Sequence, residues 1–432
     1  MKRILKKALL TTAIVTTAML SLASFAQAKD TLVWWDFLGG GDGVRMKTLI
    51  DEFNKEHAAA TVEIQATTLD WGTPFYTKVQ TSAAVGQGPD IMTYHESRIP
   101  LGISTGSLSP ITADEMKASG IQASDFEPAN WKAAESADGT QYAIPLDIHS
   151  IILYYNKTLL KAAGLLGDDG KPKGLDGVAN WDAALAKLTA NGVVGLSVPT
   201  ADGGTMWRIF YTLLNQQDGV FLSKDNKFLD GDNLGKATTA LTEMQKWVKS
   251  GWTPKQTEYP ASIALFTSGK AAFHINGVWE VPTMVDLQKK GSLFDWGAIA
   301  IPALYAHPAT WADSHSFAIP NRQGNPVDPA KRKIVLDTIH WFNQHSLEWA
   351  GGGHLPAFAP VRSSDDFKNL KPNADYSTLA ATAVFDPVST LAGVASPVYD
   401  AAGNYVLPAM NGDLAPADAA SQMRDDLQGQ AK

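Results

Sequence analysis

The stretch TLVWWDFLGGGDGVRMKTLIDEFNKEH, residues 31–57, decides the fold because it passes from a strand through a glycine loop into a helix. Residues 31–35 are apolar or β-branched, which predicts a buried strand. From residue 44 to residue 57, apolar side chains recur at helical spacing on one face, at Met46, Leu49, Ile50 and Phe53. A buried strand followed by an amphipathic helix is the first half of a strand–helix–strand unit.

The segments that follow continue this alternation. Residues 60–69 alternate as a strand does, residues 74–87 predict a second helix, and residues 89–95 predict a third, short strand. Three strands separated by two helices are typical of an α/β sheet with mainly parallel strands. We therefore expect ligand-contacting side chains at the carboxyl ends of these strands, where open α/β sheets bind their ligands.

Further along the chain, a long extended run at residues 139–165 passes into a helix, which suits a connection between two lobes. Residues 262–285 predict a helix, a strand, a glycine turn and another helix. The remaining pattern predicts helices at 180–192, 204–217, 235–250 and 329–345, and strands at 193–199, 294–302 and 314–320.

The first 28 residues predict a secretory signal peptide. They combine a basic start, an apolar run and the cleavage-type sequence Ala26-Gln27-Ala28. A membrane anchor would need about 20 firmly apolar residues, and threonines and serines dilute this run. Because the sequence contains no cysteine, a lipid-anchored lipoprotein is excluded. We expect cleavage after Ala28 and a periplasmic mature chain.

The predicted mature chain is acidic and free of cysteine. The first 28 residues hold four of the 36 Lys and Arg residues and none of the 44 Asp and Glu residues, which leaves a net charge of −12. This charge argues against nucleic acid or an anionic membrane surface as a partner. Without cysteine, disulfides and thiolate metal sites are excluded, and the length suits two lobes of ordinary size.

Tryptophan is abundant, with 13 residues, whereas arginine is scarce, with eight. Several tryptophans lie beside glycines and charged residues, which is unusual for core positions. Indole rings cover the apolar C–H faces of a sugar, while carboxylates, amides and imidazoles bind its hydroxyls. Since a phosphate or carboxylate ligand calls for arginine, the scarcity favours a neutral sugar. Near the expected cleft lie only Arg98, Arg208 and Arg362, and a well-placed Arg362 would reverse this preference.

Seven segments occur in the order found in one family. They are VWWD (33–36), LIDEFNKEH (49–57), GQGPDIM (86–92), YAIPLDIHSIILYYNKTLL (142–160), FTSGKAAFHINGVWE (266–280), SHSFAIP (314–320) and GGGHLPAFAPVR (351–362). In this order, and behind a signal peptide, the chain resembles the family 1 extracellular solute-binding proteins, the maltose-binding-protein-like periplasmic receptors of ABC sugar importers.

The resemblance implies an α/β, two-lobed periplasmic-binding-protein fold of type II, with discontinuous lobes joined by three crossovers and a ligand cleft between them. We place the crossovers near 145–152, near 290–298 and near the helix at 329–345. The N-terminal lobe would hold residues 29–146 and about 297–330, and the C-terminal lobe residues 147–296 and about 331–432. Cleft closure over a carbohydrate, delivery to membrane permease subunits, a monomeric state and no cofactor follow from the same resemblance.

The strand ends of the first lobe supply the first candidate ligand-binding residues. They are Trp35, Asp36, Trp71, His95 and Glu96. Because side chains alternate along a strand, Trp34 is expected in the core, with Trp35 as a cleft wall and Asp36 as a hydroxyl acceptor. Packing on the lobe surface is the alternative for Trp71, and a turn-forming role is the alternative for His95.

The crossovers and the second lobe supply the other candidates. Asp147 and His149 lie on the first crossover, where a hinge-stiffening hydrogen bond is the alternative role. The resemblance implies that Trp279 stacks on sugar and that Gly277 lets backbone approach it. The further candidates are Asn276, Ser314, His315 and His354, and weaker ones are Trp207 and Trp311.

Three alternatives remain beside sugar binding. An exported glycoside hydrolase would need two carboxyl groups roughly 5 to 9.5 Å apart, for which Asp36, Glu96, Asp147 and Glu280 are available. A receptor for a non-sugar solute such as a glycerophosphate would need an arginine in the cleft. A metal receptor is disfavoured because the close histidine pair, His340 and His345, lacks the spacing of a zinc site, so we predict no metal ligands.

Overall fold

The computed structural model describes residues 30–59 and 62–431, which form two β-sheets surrounded by helices. The predicted signal peptide, residues 1–28, lies outside the described residues. The strands are β1 Asp30–Asp36, β2 Val62–Thr68, β3 Ile91–His95, β4 Ala143–Pro145, β5 Asp147–Asn156, β6 Val194–Ser197, β7 Ala271–Gly277, β8 Trp296–Ile299, β9 Thr310–Asp313, β10 His315–Ala318, β11 Leu355–Pro356 and β12 Ala383–Phe385.

The helices are α1 Gly40–Glu56, α2 Thr73–Ala84, α3 Ile99–Ser104, α4 Ala113–Ala118, α5 Pro128–Ala133, α6 Lys157–Ala162, α7 Val178–Ala190, α8 Gly203–Asn215, α9 Asn233–Lys249, α10 Tyr259–Thr267, α11 Val281–Lys289, α12 Pro329–Gln344, α13 Ser346–Ala350, α14 Ala359–Arg362, α15 Asp365–Asn369, α16 Leu379–Thr382, α17 Pro397–Ala401, α18 Leu407–Asn411 and α19 Pro416–Gln430. Of the described helices, none is long and apolar enough to cross a membrane.

The first sheet has the strand order β2-β1-β3-β10-β4. Strand β1 runs parallel to β2 and β3, whereas β10 is antiparallel to β3 and β4. Helix α1 covers this sheet with the four apolar residues that its periodicity predicts. Trp34 lies fully buried against Phe317 and Phe342, and its indole N–H donates to the Thr93 hydroxyl at 3.1 Å. The predicted parallel arrangement and the core position of Trp34 are therefore confirmed.

The second sheet has the strand order β12-β9-β5-β7-β6, and both β8 and β11 also pair with β5. Strand β5 is central and antiparallel to its four partners, and all ten of its residues are buried. A strand buried on both faces requires a continuous apolar run, which the segment IILYY at its centre supplies. The predicted extended run after residue 139 is confirmed as β4 and β5.

The chain passes between the two sheets at Leu146, which separates β4 from β5, and at Ser314, which separates β9 from β10. The first point agrees with the predicted crossover. The second differs from the predicted 290–298, because β8 and β9 still pair with β5 of the second sheet. Helix α12 packs on the first sheet through Phe342. The strand pairing therefore differs from the predicted second crossover, and the lobe boundaries stay a prediction.

Candidate ligand-binding site

A cavity of about 400 Å³ lies where the two sheets meet. The carboxyl ends of β1, β2 and β3 face it from one side, and β5, α8 and the turn after β7 face it from the other. Its lining residues are Phe37, Leu38, Gly39, Asp42, Trp71, His95, His149, Asp202, Gly204, Arg208, Tyr259, Trp279, His315, Val394, Ala395 and Tyr399. The volume falls within the range of small-molecule sites in proteins.

Two indole rings line this cavity, one from the chain after β2 and one from the chain after β7. Trp71 follows β2 and keeps 52% of its surface exposed, which is unusual for a tryptophan and leaves its ring free for contact. Trp279 follows β7, and its indole N–H donates to the Tyr259 hydroxyl at 2.7 Å. The Tyr259 hydroxyl oxygen lies 3.0 Å from the Asn276 amide oxygen and 2.9 Å from a Glu280 carboxylate oxygen, and one of these two accepts its single proton. The cavity thus offers an aromatic face from each sheet.

Three histidines form one wall of the cavity: His95 at the end of β3, His149 on β5 and His315 at the start of β10. His95 and His315 are directly paired across β3 and β10. The Nδ1 atoms of His149 and His315 lie 3.0 and 2.8 Å from the two carboxylate oxygens of Asp147. Burial and the neighbouring imidazoles lower the pKa of both His95 and His149, so both rings are neutral at pH 7.

Asp147 does not line the cavity, but it hydrogen-bonds to two of the histidines that form this wall. Its carboxylate is fully buried and accepts the Trp349 indole N–H at 2.7 Å and the backbone N–H of His315 at 2.9 Å. Burial alone would raise its pKa, but the facing His315, His354 and His149 hold the pKa of Asp147 well below its usual value. Asp147 is therefore a buried carboxylate that joins β5 to β10 by hydrogen bonds.

Arg208 brings a positive charge to the cavity. Its guanidinium lies 5.0, 4.7 and 5.6 Å from the ring centroids of Trp279, Trp311 and Tyr399, and 9% of the residue is exposed. Among the described residues its Nε has no hydrogen-bond partner, and the guanidinium forms no salt bridge. The aromatic rings hold the group in place through their faces.

Five of the thirteen predicted site residues line the cavity: Trp71, His95, His149, Trp279 and His315. Trp35 and Asp36 are not in its lining, which differs from the prediction that they form its rim. Trp35 points to the side of Lys78, whose Nζ lies 5.7 Å from its ring, and the buried Asp36 accepts the backbone N–H of Leu38 at 3.0 Å. Asp36 thereby shapes the loop of residues 37–39, which does reach the cavity.

The other predicted residues lie behind the cavity wall or elsewhere. Glu96 lines a separate crevice, where its two carboxylate oxygens accept from the Asn130 amide N–H₂ group at 3.1 and 3.0 Å. Gly277 is not in the lining of the cavity; its missing side chain makes room for the Trp279 ring, which a Cβ would overlap. Four more predicted residues are fully buried: Asp147, Asn276, Ser314 and His354. The weaker candidates Trp207 and Trp311 are also fully buried, and the indole N–H of each donates to Asp386.

Several lining residues were not predicted from the sequence. Asp42 follows the glycines of the first loop and accepts a hydrogen bond from His354 Nε2 at 2.8 Å, so the glycine cluster was a usable signal. Asp202, Tyr259 and Tyr399 come from loops and helices without a distinctive local pattern. The sequence placed Arg208 near the cleft, but because arginine is scarce Arg208 was not chosen as a ligand-binding residue. Arg362 donates to the Glu127 carboxylate at 2.8 Å.

Residues 48–332 match the family model described as bacterial extracellular solute-binding protein. The maltooligosaccharide ABC transporter solute-binding lipoprotein of Streptococcus pneumoniae R6 is 25% identical over 342 residues, 76% of this chain and 73% of that protein. The maltodextrin-binding protein MdxE of Bacillus subtilis is 29% identical over 201 residues, 42% of this chain and 43% of that protein. The solved sugar-binding protein MalE of Xanthomonas citri shares the fold, with a TM-score of 0.76, 18% identity and coverage of 93% of this chain and 97% of that chain.

Proposed function

The chain belongs to the bacterial extracellular solute-binding proteins, and from this we propose that it is the substrate-binding component of an ABC importer for a neutral sugar or small oligosaccharide. The observation that carries the proposal is the cavity between the sheets, which is lined by the indoles of Trp71 and Trp279 and by polar groups. Relatives named for maltooligosaccharide and maltodextrin support the same class of ligand.

A sugar presents two apolar C–H faces and a rim of hydroxyls, and this cavity offers a complement to both. The indoles of Trp71 and Trp279 stack against the faces. Histidine nitrogens, the Tyr259 hydroxyl and the Asp42 carboxylate then meet the hydroxyls, whose desolvation is compensated only when each is hydrogen-bonded. A ligand held by residues of both sheets favours the closed state, because only that state makes both sets of contacts.

The four carboxylates that the sequence named for a hydrolase do not support hydrolysis, and the two carboxylates that do line the cavity, Asp42 and Asp202, accept hydrogen bonds from His354 and from the Thr205 backbone N–H. The four named for a hydrolase, Asp36, Glu96, Asp147 and Glu280, are absent from the lining of the cavity. Asp147 is occupied by histidine and tryptophan donors, and Glu280 by the Tyr259 hydroxyl at 2.9 Å. We propose a non-enzymatic, periplasmic receptor that is monomeric and contacts permease subunits, and whose signal peptide is cleaved after Ala28. N-terminal sequencing of the exported protein tests the cleavage site, and light scattering tests the monomeric state.

A ligand with one anionic group is the second candidate, and Arg208 is the observation that favours it. A buried guanidinium without a salt bridge among the described residues is compensated when a carboxylate or phosphate binds beside it. With such a ligand, Arg208→Gln weakens binding strongly and Arg208→Lys retains part of it. With a neutral sugar, the two variants bind alike, because the charge then contributes little.

The experiment is a thermal-shift screen of the purified mature chain against neutral mono- and oligosaccharides, with uronates, sugar phosphates and amino acids as the other arms. A ligand at 100 times its Kd stabilises the protein by about 2.7 kcal/mol. We expect a neutral sugar to give the largest shift, with Trp71→Ala and Trp279→Ala weakening it and Trp341→Ala, outside the cavity, leaving it unchanged. A shift with amino acids but with no carbohydrate would contradict the proposal.

A further inference from the structure

Four buried side chains meet at the place where the chain passes between the two sheets. They are Asp147 and His149 on β5, His315 at the start of β10 and His354 just before β11. One carboxylate oxygen of Asp147 and one ring nitrogen of each histidine all lie within 4.8 Å of one another. Any four points this close fit inside a sphere of about 2.9 Å radius, so these atoms surround a common centre at little more than the zinc–ligand distance of about 2.0–2.2 Å.

Each of the three histidines places its Nδ1 atom beside the Asp147 carboxylate. Nδ1 of His315 lies 2.8 Å and Nδ1 of His354 lies 3.5 Å from Oδ2, while Nδ1 of His149 lies 3.0 Å from Oδ1. The imidazole centroids are 4.4 Å apart for His149 and His315, 5.4 Å for His315 and His354, and 5.9 Å for His149 and His354. Imidazoles on a tetrahedral zinc ion have centroids about 5 Å apart, so the three rings have the spacing of a shared metal ion.

His354 supplies an independent observation that points to a cation. Its Nε2–H donates to the Asp42 carboxylate at 2.8 Å, and its ring stacks on the Trp349 indole with centroids 4.8 Å apart. A neutral imidazole has one N–H, so Nδ1 then carries a lone pair. This buried atom has no hydrogen-bond partner among the described residues, although it faces the Asp147 carboxylate. Two facing lone pairs in a buried place require a positive charge between them.

A second ring proton and a metal ion are the two candidates for that charge. Burial opposes protonation of His354, but the Asp42 and Asp147 carboxylates outweigh it and raise the pKa of the ring. A protonated ring would donate to Asp147 at about 2.7–2.9 Å, which is shorter than the 3.5 Å found. Two ligand atoms on a tetrahedral zinc ion lie about 3.4 Å apart, which agrees with this distance. The shorter distance from His315 must widen by about 0.5 Å to admit the ion.

We propose that Asp147, His149, His315 and His354 together bind one divalent transition-metal ion of the zinc class. One carboxylate oxygen and three Nδ1 atoms form a closed, four-coordinate shell, as in structural zinc sites. Because the ligands come from β5, from β10 and from the turn before β11, the ion stiffens the junction between the two sheets. The sequence disfavoured a metal because these histidines are far apart along the chain, and only the pairing of β5 with β9 and β11 brings them together.

The surroundings supply the outer hydrogen bonds and the charge that such a site needs. Asp42 accepts the Nε2–H of His354, which is the carboxylate–histidine–metal arrangement that orients a ligating ring. The Asp147 carboxylate is itself oriented by the Trp349 indole N–H at 2.7 Å and by the backbone N–H of His315 at 2.9 Å. The charges of Asp42 and Asp147 together balance that of a divalent ion, so the buried charge is compensated.

The experiment uses the full mature chain without a histidine tag, stripped of metal with EDTA, dialysed, and titrated with Zn²⁺ by calorimetry and with Co²⁺ by visible absorption. We expect one equivalent to bind with a micromolar or tighter Kd and Co²⁺ to give the absorption bands of a four-coordinate site. His354→Ala should weaken Zn²⁺ binding at least about 100-fold, and Asp42→Asn, which changes only the outer hydrogen bond, about 10- to 100-fold. His307→Ala, an exposed histidine outside the cluster, is the matched control and retains wild-type binding.

Two results would overturn the proposal. One is the absence of stoichiometric Zn²⁺ or Co²⁺ binding by the wild-type chain, a measurement that does not depend on the folding of any variant; a proton on His354 would then supply the charge. The other is unchanged binding by a His315→Ala/His354→Ala double variant whose circular dichroism matches the wild type. The titrations contain no sugar and measure the metal directly, so their outcome is independent of the ligand screen.

Discussion

Gly277→Ala tests the way in which the backbone positions the Trp279 ring. Gly277 has φ of −73°, which any residue adopts, so the substitution brings no backbone strain. An added Cβ would overlap the Trp279 indole, and the ring must therefore rotate away. In doing so it loses the hydrogen bond to Tyr259 and the contact with the Arg208 guanidinium.

The size of the effect follows from these contacts. Losing a hydrogen bond of about 0.5–1.5 kcal/mol and a cation–π contact of about 0.5–1 kcal/mol lowers the free energy of unfolding by about 1–2.5 kcal/mol. Removing one aromatic face from the ligand costs about 2 kcal/mol of binding free energy, or roughly 30-fold in Kd. Urea unfolding measures the first quantity, and calorimetry with the strongest carbohydrate of the screen measures the second.

A matched control and a double variant make this prediction decisive. Gly235→Ala, in the exposed part of α9 with open space around the added methyl group, should leave binding unchanged and stabilise slightly, since alanine favours helices by about 1 kcal/mol. Gly277→Ala combined with Trp279→Ala should bind no more weakly than Trp279→Ala alone, because the overlap has gone. If Gly277→Ala behaves like Gly235→Ala, the steric reasoning is wrong.

Burial raises the pKa of Asp386 to about 7, so its ionisation is less favourable in the folded chain than in the unfolded chain. Its contribution to the free energy of unfolding is therefore greatest below pH 4 and falls by up to about 4 kcal/mol as the pH rises through 7. Asp386→Asn should flatten this fall, which urea unfolding at a series of pH values measures. A pH profile that the substitution leaves unchanged would show that Asp386 is not the group responsible. Trp34→Ala should destabilise the protein by about 3–5 kcal/mol because it empties a buried site. Trp35→Ala should change the Kd for the ligand by no more than about twofold, and a large loss of affinity would indicate that Trp35 contacts the ligand. Tyr259→Phe removes the acceptor of the Trp279 indole and should weaken ligand binding several-fold without changing the fold, as calorimetry and circular dichroism would show.

The part of the site that sequence reasoning identified consists of residues with a local signal. Trp71, His95 and His315 lie at the ends of predicted strands, and Trp279 follows the glycine of a predicted turn, so strand-end placement was enough to select them. Trp35 takes the face opposite to Trp34, as alternation predicts, but it lies beside Lys78 and outside the lining of the cavity, which the chain reaches two residues later, at Phe37.

By itself, the sequence determined the order and type of the longer elements from β1 to α12, the burial of Trp34 and the apolar face of α1, whereas the short helices α3, α4 and α5 and the elements after α12 were not predicted. These features depend on hydrophobic periodicity, which is a local property of the chain. Only the tertiary structure decided that β8 and β9 belong to the second sheet and that Arg208 reaches the cavity. The same holds for the joining of His95, His149 and His315, because long-range strand pairing sets the distances between residues that are remote in the sequence.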